Sequence, residues 1–179
     1  DRIAVPTGRF APADVAVEPD ASSASYPLAL AAVLGGRVTV ERLGIDALQG
    51  DARFADLLAH MGCGVTRTTD SVTVESGGSL RGIDVDMSDI SDLVPTGAVV
   101  AACAASPTRI SGVGFIRAKE SDRLGDLTTE LRRLGIDIDE TDDGLEIRPS
   151  AASWHGGRVD THHDHRLAMA FGVLGSRIG

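Results

Sequence analysis

Residues 92–105 read Asp-Leu-Val-Pro-Thr-Gly-Ala-Val-Val-Ala-Ala-Cys-Ala-Ala, one acid followed by a run without a single charge. A helix made of such residues is apolar nearly all round and belongs in an interior, since a solvent-facing helix shows a polar stripe. The acid at its start suits a cap. The same wording recurs on both sides. Residues 20–34 read Asp-Ala-Ser-Ser-Ala-Ser-Tyr-Pro-Leu-Ala-Leu-Ala-Ala-Val-Leu, and residues 164–174 read Asp-His-Arg-Leu-Ala-Met-Ala-Phe-Gly-Val-Leu. Asp20, Asp92 and Asp164 are evenly spaced, each 72 residues after the one before. An internal repeat with three buried helices is expected, and a fixed period of this kind decides the fold before any single motif does.

Working outward from each helix, the β-branched runs Arg37-Val38-Thr39-Val40 and Arg109-Ile110-Ser111-Gly112 suit strands. Amphipathic helices follow over residues 53–61 and 122–134, the latter with Leu127, Leu131 and Leu134 at helical spacing, and Gly62 and Gly135 stop them. Next come paired strands. Val65 faces Val72-Thr73-Val74, and Ile136-Asp137-Ile138 faces Leu145-Glu146-Ile147, joined by polar turns at Thr69-Asp70 and Asp142-Asp143-Gly144. A returning strand, Ile83-Asp84-Val85-Asp86 or Val159-Asp160-Thr161, leads to the next acidic start. The expected class is α/β (α+β). Two units are whole, while a third starts at Asp164 and stops at Gly179, so the chain reads as part of a longer one, with a natural end here as the lesser alternative.

Composition narrows the function classes. A formal charge of −9, with no Lys/Arg run, argues against a nucleic-acid surface. Lys119 is the only lysine among 17 basic residues, and it stands between arginines. Cys63 and Cys103 lie in apolar settings that suit small buried side chains better than a disulfide, pointing to a reducing compartment. The apolar runs are far shorter than the roughly 20 residues of a membrane span. No signal peptide is recognised at the start, and a cytoplasmic, soluble protein without a membrane partner is expected.

Two segments are dense in usable chemistry. Arg117-Ala118-Lys119-Glu120-Ser121-Asp122-Arg123 places three cations and two acids just before a helix. Lys119 can donate to a phosphate or hydroxyl, Arg123 can hold a carboxylate or phosphate in two places, and Glu120 can move a proton. The bland alternative is a helix start with Ser121 as cap and solvated charges around it. Asp164-His165-Arg166 joins a cap, an imidazole and a bidentate cation at a helix N-terminus, where an anion site is plausible chemistry. Consecutive His162, His163 and His165 lack the spacing of a metal site. Asp92 can be either an N-cap, as its counterparts suggest, or a catalytic carboxylate. If the three units share an axis, Asp92, Lys119 and Asp164-His165-Arg166 meet at one rim.

These motifs together resemble the second half of the 5-enolpyruvylshikimate-3-phosphate synthase family. The resemblance runs from Glu18-Pro19-Asp20-Ala21-Ser22-Ser23-Ala24-Ser25-Tyr26 through Gln49-Gly50-Asp51 and Ile90-Ser91-Asp92 to Lys119-Glu120-Ser121-Asp122-Arg123 and Asp164-His165-Arg166-Leu167-Ala168-Met169. It implies a domain of βαβαββ units around buried parallel helices, an inside-out α/β barrel, with this chain forming an incomplete C-terminal-type domain. It further implies transfer of the enolpyruvyl group of phosphoenolpyruvate to the 5-hydroxyl of shikimate 3-phosphate, with release of phosphate and no metal or organic cofactor. Asp92, Glu120 and Lys119 would be catalytic. Asp92, Lys119, Arg123, His165 and Arg166 would bind substrate, with the arginines on phosphoenolpyruvate. An N-terminal domain would complete the site, in a protein monomeric at full length. Departures from the family pattern are Ser91 for Pro, Phe115 for a polar contact, His162 for Tyr and Leu167 for Met. The chain alone is expected to show no turnover. Its rivals are the related transferase acting on UDP-N-acetylglucosamine, which lacks the Lys-Glu-Ser-Asp-Arg arrangement, and a non-catalytic anion- or partner-binding piece of the same fold.

Overall fold

The computed structural model describes residues 2–9 and 11–178. The first helix, α1 (Ala21–Leu34), starts where the Asp20 carboxylate accepts from the Ser22 amide at 3.0 Å. Pro27 inside it has no N–H to offer the Ser23 carbonyl, and Ser23 is exposed, so water can serve that carbonyl instead. Strand β1 (Gly36–Glu41) follows, then a 3₁₀ turn (Gly50–Arg53) leading into α2 (Phe54–His60), then β2 (Gly64–Arg67) and β3 (Ser71–Ser76). These strands form an antiparallel sheet in the order β1-β3-β2, with Val74 opposite both Val38 and Val65.

The second round keeps the order. A 3₁₀ stretch (Ser88–Leu93) runs into α3 (Val94–Ala102), followed by β5 (Thr108–Ser111), a 3₁₀ turn (Gly114–Ala118), α4 (Arg123–Arg133), β6 (Asp137–Thr141) and β7 (Gly144–Arg148). The returning strand β4 (Asp84–Asp86) leaves the first round and pairs in parallel with β5, giving a sheet ordered β4-β5-β7-β6. One sheet therefore holds strands from both rounds. Gly112 has φ +76 and turns the chain from β5 toward Lys119; a Cβ there would stand 2.4 Å from the Asp86 carboxylate.

Helices α1, α3 and α5 (His165–Ile178) pack on one another and form the centre of the core. All nine residues of α3 are buried, including Thr96 and Gly97, which allow close approach. Helix α4 is amphipathic: Leu124, Leu127 and Leu131 are fully buried, each burial stabilising by about 1.5–3 kcal/mol.

Three expectations need correction. Helix α5 is only half buried: Leu167, Ala170, Phe171, Val173 and Leu174 face inward while Ala168, Met169, Gly172 and Gly175 are exposed, because among the described residues nothing packs on that side. Val159-Asp160-Thr161 is not a strand, because no strand follows α5 among the described residues and its backbone is bonded locally instead: the Asp160 amide donates to Glu130 and the Asp164 amide to the Thr161 carbonyl. Ser121 does not cap α4. Asp122 does, accepting from the Gly125 amide at 3.0 Å, while the Ser121 hydroxyl is buried without a partner. Gly179, the expected stopping point of the third unit, lies outside the described residues.

Candidate active site

The second acidic start departs from its two counterparts. Asp20 and Asp164 each accept from the backbone amide two residues on, in the manner of caps, at 3.0 and 2.8 Å. Asp92 does not. It lies in the 3₁₀ stretch before α3, whose first turn is shaped by Pro95. Its carboxylate is thereby left to side chains.

All three of those partners are cations. Arg123 Nη1 donates to Asp92 Oδ1 at 2.9 Å, Arg166 Nη2 donates to Asp92 Oδ2 at 2.8 Å, and Lys119 Nζ also donates to Oδ1. Lys119 reaches Ser91 Oγ as well, at 3.2 Å, and its ammonium stands 5.8 Å from the centre of the half-exposed Phe115 ring. Arg123 is fully buried, though it is the first residue of a helix, because its fork is consumed on three sides: Nε donates to Asp164 Oδ2 at 2.7 Å, Nη1 to Asp92, and Nη2 to Glu120. The Asp164 side chain is likewise without exposure, so it fastens the start of α4 to the start of α5 while capping the latter. A charged pair this deep is tolerated only because both members are fully hydrogen-bonded.

The cluster thus carries three cations (Lys119, Arg123, Arg166) and three carboxylates (Asp92, Glu120, Asp164), and it balances. Burial works against the charged form of Asp92, but the bond from Lys119 and the charges of Arg166 and Lys119 outweigh it and hold its carboxyl below the usual range. Asp164 is also lowered: burial opposes, and the bonds from Arg123 and the Arg166 amide prevail. Asp92 remains 34% exposed and Lys119 26% exposed, so the rim is open to a ligand. Arg166 brings a further feature, since its Nε is buried with no partner and its guanidinium retains unspent donor capacity.

The structure thus draws together Asp92, Lys119, Glu120, Arg123 and Arg166. His165 is exposed at the first residue of α5, apart from the hydrogen-bonded net. Arg117 turns away, bonded to Asp122, Glu140 and the Thr141 carbonyl. His162 lies against Asp126 and Glu130, and among the described residues no group of three or more His, Cys, Asp or Glu is arranged to hold a metal. Ser91 as a partner of Lys119 and Asp164 as the clasp of Arg123 carry no signal in the sequence, since both contacts are long-range. Tyr26 is buried with a raised phenol, chiefly through burial, which the nearby Arg166 partly offsets. A helix-start acid and a buried tyrosine have many possible partners, and only the meeting of α1, α4 and α5 selects among them. Burial pushes the half-buried Cys103 thiol up to about 11 and raises that of Cys63 too, leaving both as unreactive thiols. Among the described residues no helix is long and apolar enough to cross a membrane.

The profile of the family described as EPSP synthase (3-phosphoshikimate 1-carboxyvinyltransferase) matches residues 2–179. The chain is 52% identical to the 3-phosphoshikimate 1-carboxyvinyltransferase of Methanoculleus marisnigri, with all of this chain and 42% of that protein aligned. It is 48% identical to that of Syntrophobacter fumaroxidans, covering all of this chain and 43% of the relative. A solved EPSP synthase from Acinetobacter baumannii superposes with a TM-score of 0.78 at 30% identity, over 90% of this chain and 40% of that one. The chain therefore spans about two-fifths of the length of the proteins it matches.

Proposed function

The chain belongs to the EPSP synthase family, and on that premise we propose that it supplies one half of the active site of a 3-phosphoshikimate 1-carboxyvinyltransferase. The observation that supports this best is the single carboxylate of Asp92 gathered by Lys119, Arg123 and Arg166 on an open rim. Three cations held in reserve by displaceable acids suit a donor with a carboxylate and a phosphate, such as phosphoenolpyruvate.

Asp92 Oδ2 on Arg166 and the Glu120 carboxylate on Arg123 give way to the donor's anionic groups, with the total charge of the protein cluster unchanged. Relieved of Arg166, Asp92 becomes more basic and accepts the proton of the attacking 5-hydroxyl of shikimate 3-phosphate as the new C–O bond forms at C2 of the donor. The electron pair of the C2=C3 bond takes a proton at the methylene carbon from the Lys119 ammonium, or from Glu120 once its carboxylate, released by Arg123, has taken up a proton from solvent. Elimination then returns a C3 proton to the same group, reforms the double bond and breaks the C2–O bond to phosphate, which departs with the hydroxyl proton that Asp92 had accepted. Lys119 holds the phosphorylated acceptor throughout, and His165 offers a polar contact from the exposed start of α5. Asp164 keeps Arg123 in place without touching substrate.

In this reading residues 1–179 are the larger part of a C-terminal-type domain, built of units that start near Asp20, Asp92 and Asp164. A second domain closes over the rim, and the full-length protein works as a monomer in the cytoplasm. The test is release of inorganic phosphate from phosphoenolpyruvate by the full-length protein, dependent on shikimate 3-phosphate. Release that ignores the acceptor, or its absence from well-folded protein, contradicts the proposal.

A further inference from the structure

We infer that His162 is a positioning residue for the arginine cluster: its ring bridges two carboxylates of α4 and thereby sets the turn that delivers Asp164 to Arg123. The ring Nε2 donates to Glu130 Oε1 at 3.2 Å, and Nδ1 stands 3.3 Å from Asp126 Oδ1.

The anchor on the other side is firm. The Glu130 side chain is fully buried on α4 and also accepts from Arg133 Nη1 at 2.7 Å and from the Asp160 amide at 3.1 Å. These bonds outweigh burial and hold its carboxyl below the usual range, so it is a fixed anion. The turn itself needs such an anchor. His162 and His163 both have positive φ, +50° and +57°, a region that side-chain-bearing residues adopt only when their surroundings enforce it. The Asp160 carboxylate accepts from the His162 amide at 2.9 Å, and the Thr161 carbonyl accepts from the Asp164 amide at 2.8 Å. The groups around the ring are Asp126 and Glu130 on α4, with Arg133 behind Glu130, and Asp160 and His163 on its own turn.

Two residues beyond His162, Asp164 grips the buried Arg123 at 2.7 Å. Both ends of the link therefore rest on α4: His162 near its middle, Asp164 at its first residue. Loosening the first lets the second drift, and with it the orientation of the guanidinium that faces Asp92. The clamp stands on geometry alone; only its consequence for turnover rests on the proposed function.

The Arg123 Nε–H, observed by 15N–1H NMR, reports the Asp164 contact directly. His162→Phe keeps a ring but no donor, and it accelerates exchange of that proton by about tenfold or more. His162→Gln, whose amide can still donate to Glu130, restores most of the protection, and His163→Asn, suited to positive φ, leaves it unchanged. In the full-length enzyme, KM for phosphoenolpyruvate rises about fivefold or more in His162→Phe with kcat within about twofold. Unchanged Arg123 exchange in a folded His162→Phe protein, or failure of Gln to restore it, overturns the inference. Should His162→Phe not fold, Asp126→Asn takes its place, with exchange accelerated about threefold; unchanged exchange there is equally fatal. The exchange response in a protein that never turns over would sink the proposed reaction and leave the clamp standing.

Discussion

In the first round of the fold Asp51 accepts a hydrogen bond from the Ser22 hydroxyl; 72 residues later the corresponding position is Arg123, which holds Asp92, Glu120 and Asp164. Around Asp51 the polar groups satisfy one another quietly. Glu18 accepts from the amides of Leu48 and Gln49, and Gln49 accepts from the Ala21 amide, so the start of α1 is sewn to the loop before α2. Around Arg123 the same junction of helix starts is sewn with ion pairs instead. The scaffold fixes where two helix starts meet, and the side chains placed there decide whether the meeting is a seam of carboxylates on neutral donors or a store of cations.

The sharpest way to break this contrast is to truncate both positions. Arg123→Ala leaves the buried Asp164 unpaired and should cost about 3–5 kcal/mol in urea unfolding. The same change at Asp51 removes one hydrogen bond and should cost only about 1 kcal/mol. Equal losses would show that the two seams are alike. Next in size, Asp92→Asn keeps the shape but removes the base that accepts the hydroxyl proton, and full-length turnover should fall by about 100-fold or more. Asp20→Asn, in contrast, swaps one good cap for another and should alter stability by a few tenths of a kcal/mol at most, as thermal unfolding would show.

Acid loosens the charged seam. Asp92, Asp164 and Glu130 have carboxyls held below their ordinary values of 3.8, 3.8 and 4.5, so the unfolded chain binds protons first. Their stabilisation is complete above those values and is lost as pH falls through the lowered folded ones. Asp92→Asn should therefore flatten the acid limb of stability, as urea unfolding across the acid range would show.

Much of the fold was legible because its signals are periodic. The charge-free runs after Asp20 and Asp92, the leucines of α4, and the stopping glycines Gly62 and Gly135 each announce local structure through one physical requirement. The exposed side of α5 was not legible: its residues are small and apolar, and burial depends on what packs there. At the site, the crowd of charges in residues 117–123 was visible, but the division of labour was not. Arg117 and Arg123 look equivalent in sequence, and only the register of α4 against β6 and α5 sends one to Glu140 and the other into the core. Asp92 looked like a cap because Asp20 and Asp164 are caps; a 3₁₀ stretch bent at Ile90 takes it off that duty.

Calorimetric titration of phosphoenolpyruvate into full-length protein, wild type against Arg166→Ala, tests the central claim that the cations are held in reserve for an anion. Arg166 is the cation of choice because it is less buried than Arg123 and its loss leaves Asp92 with two partners. Saturable binding is expected, weakening with salt and falling by about tenfold or more in the variant. Equal affinity in the two proteins would contradict it.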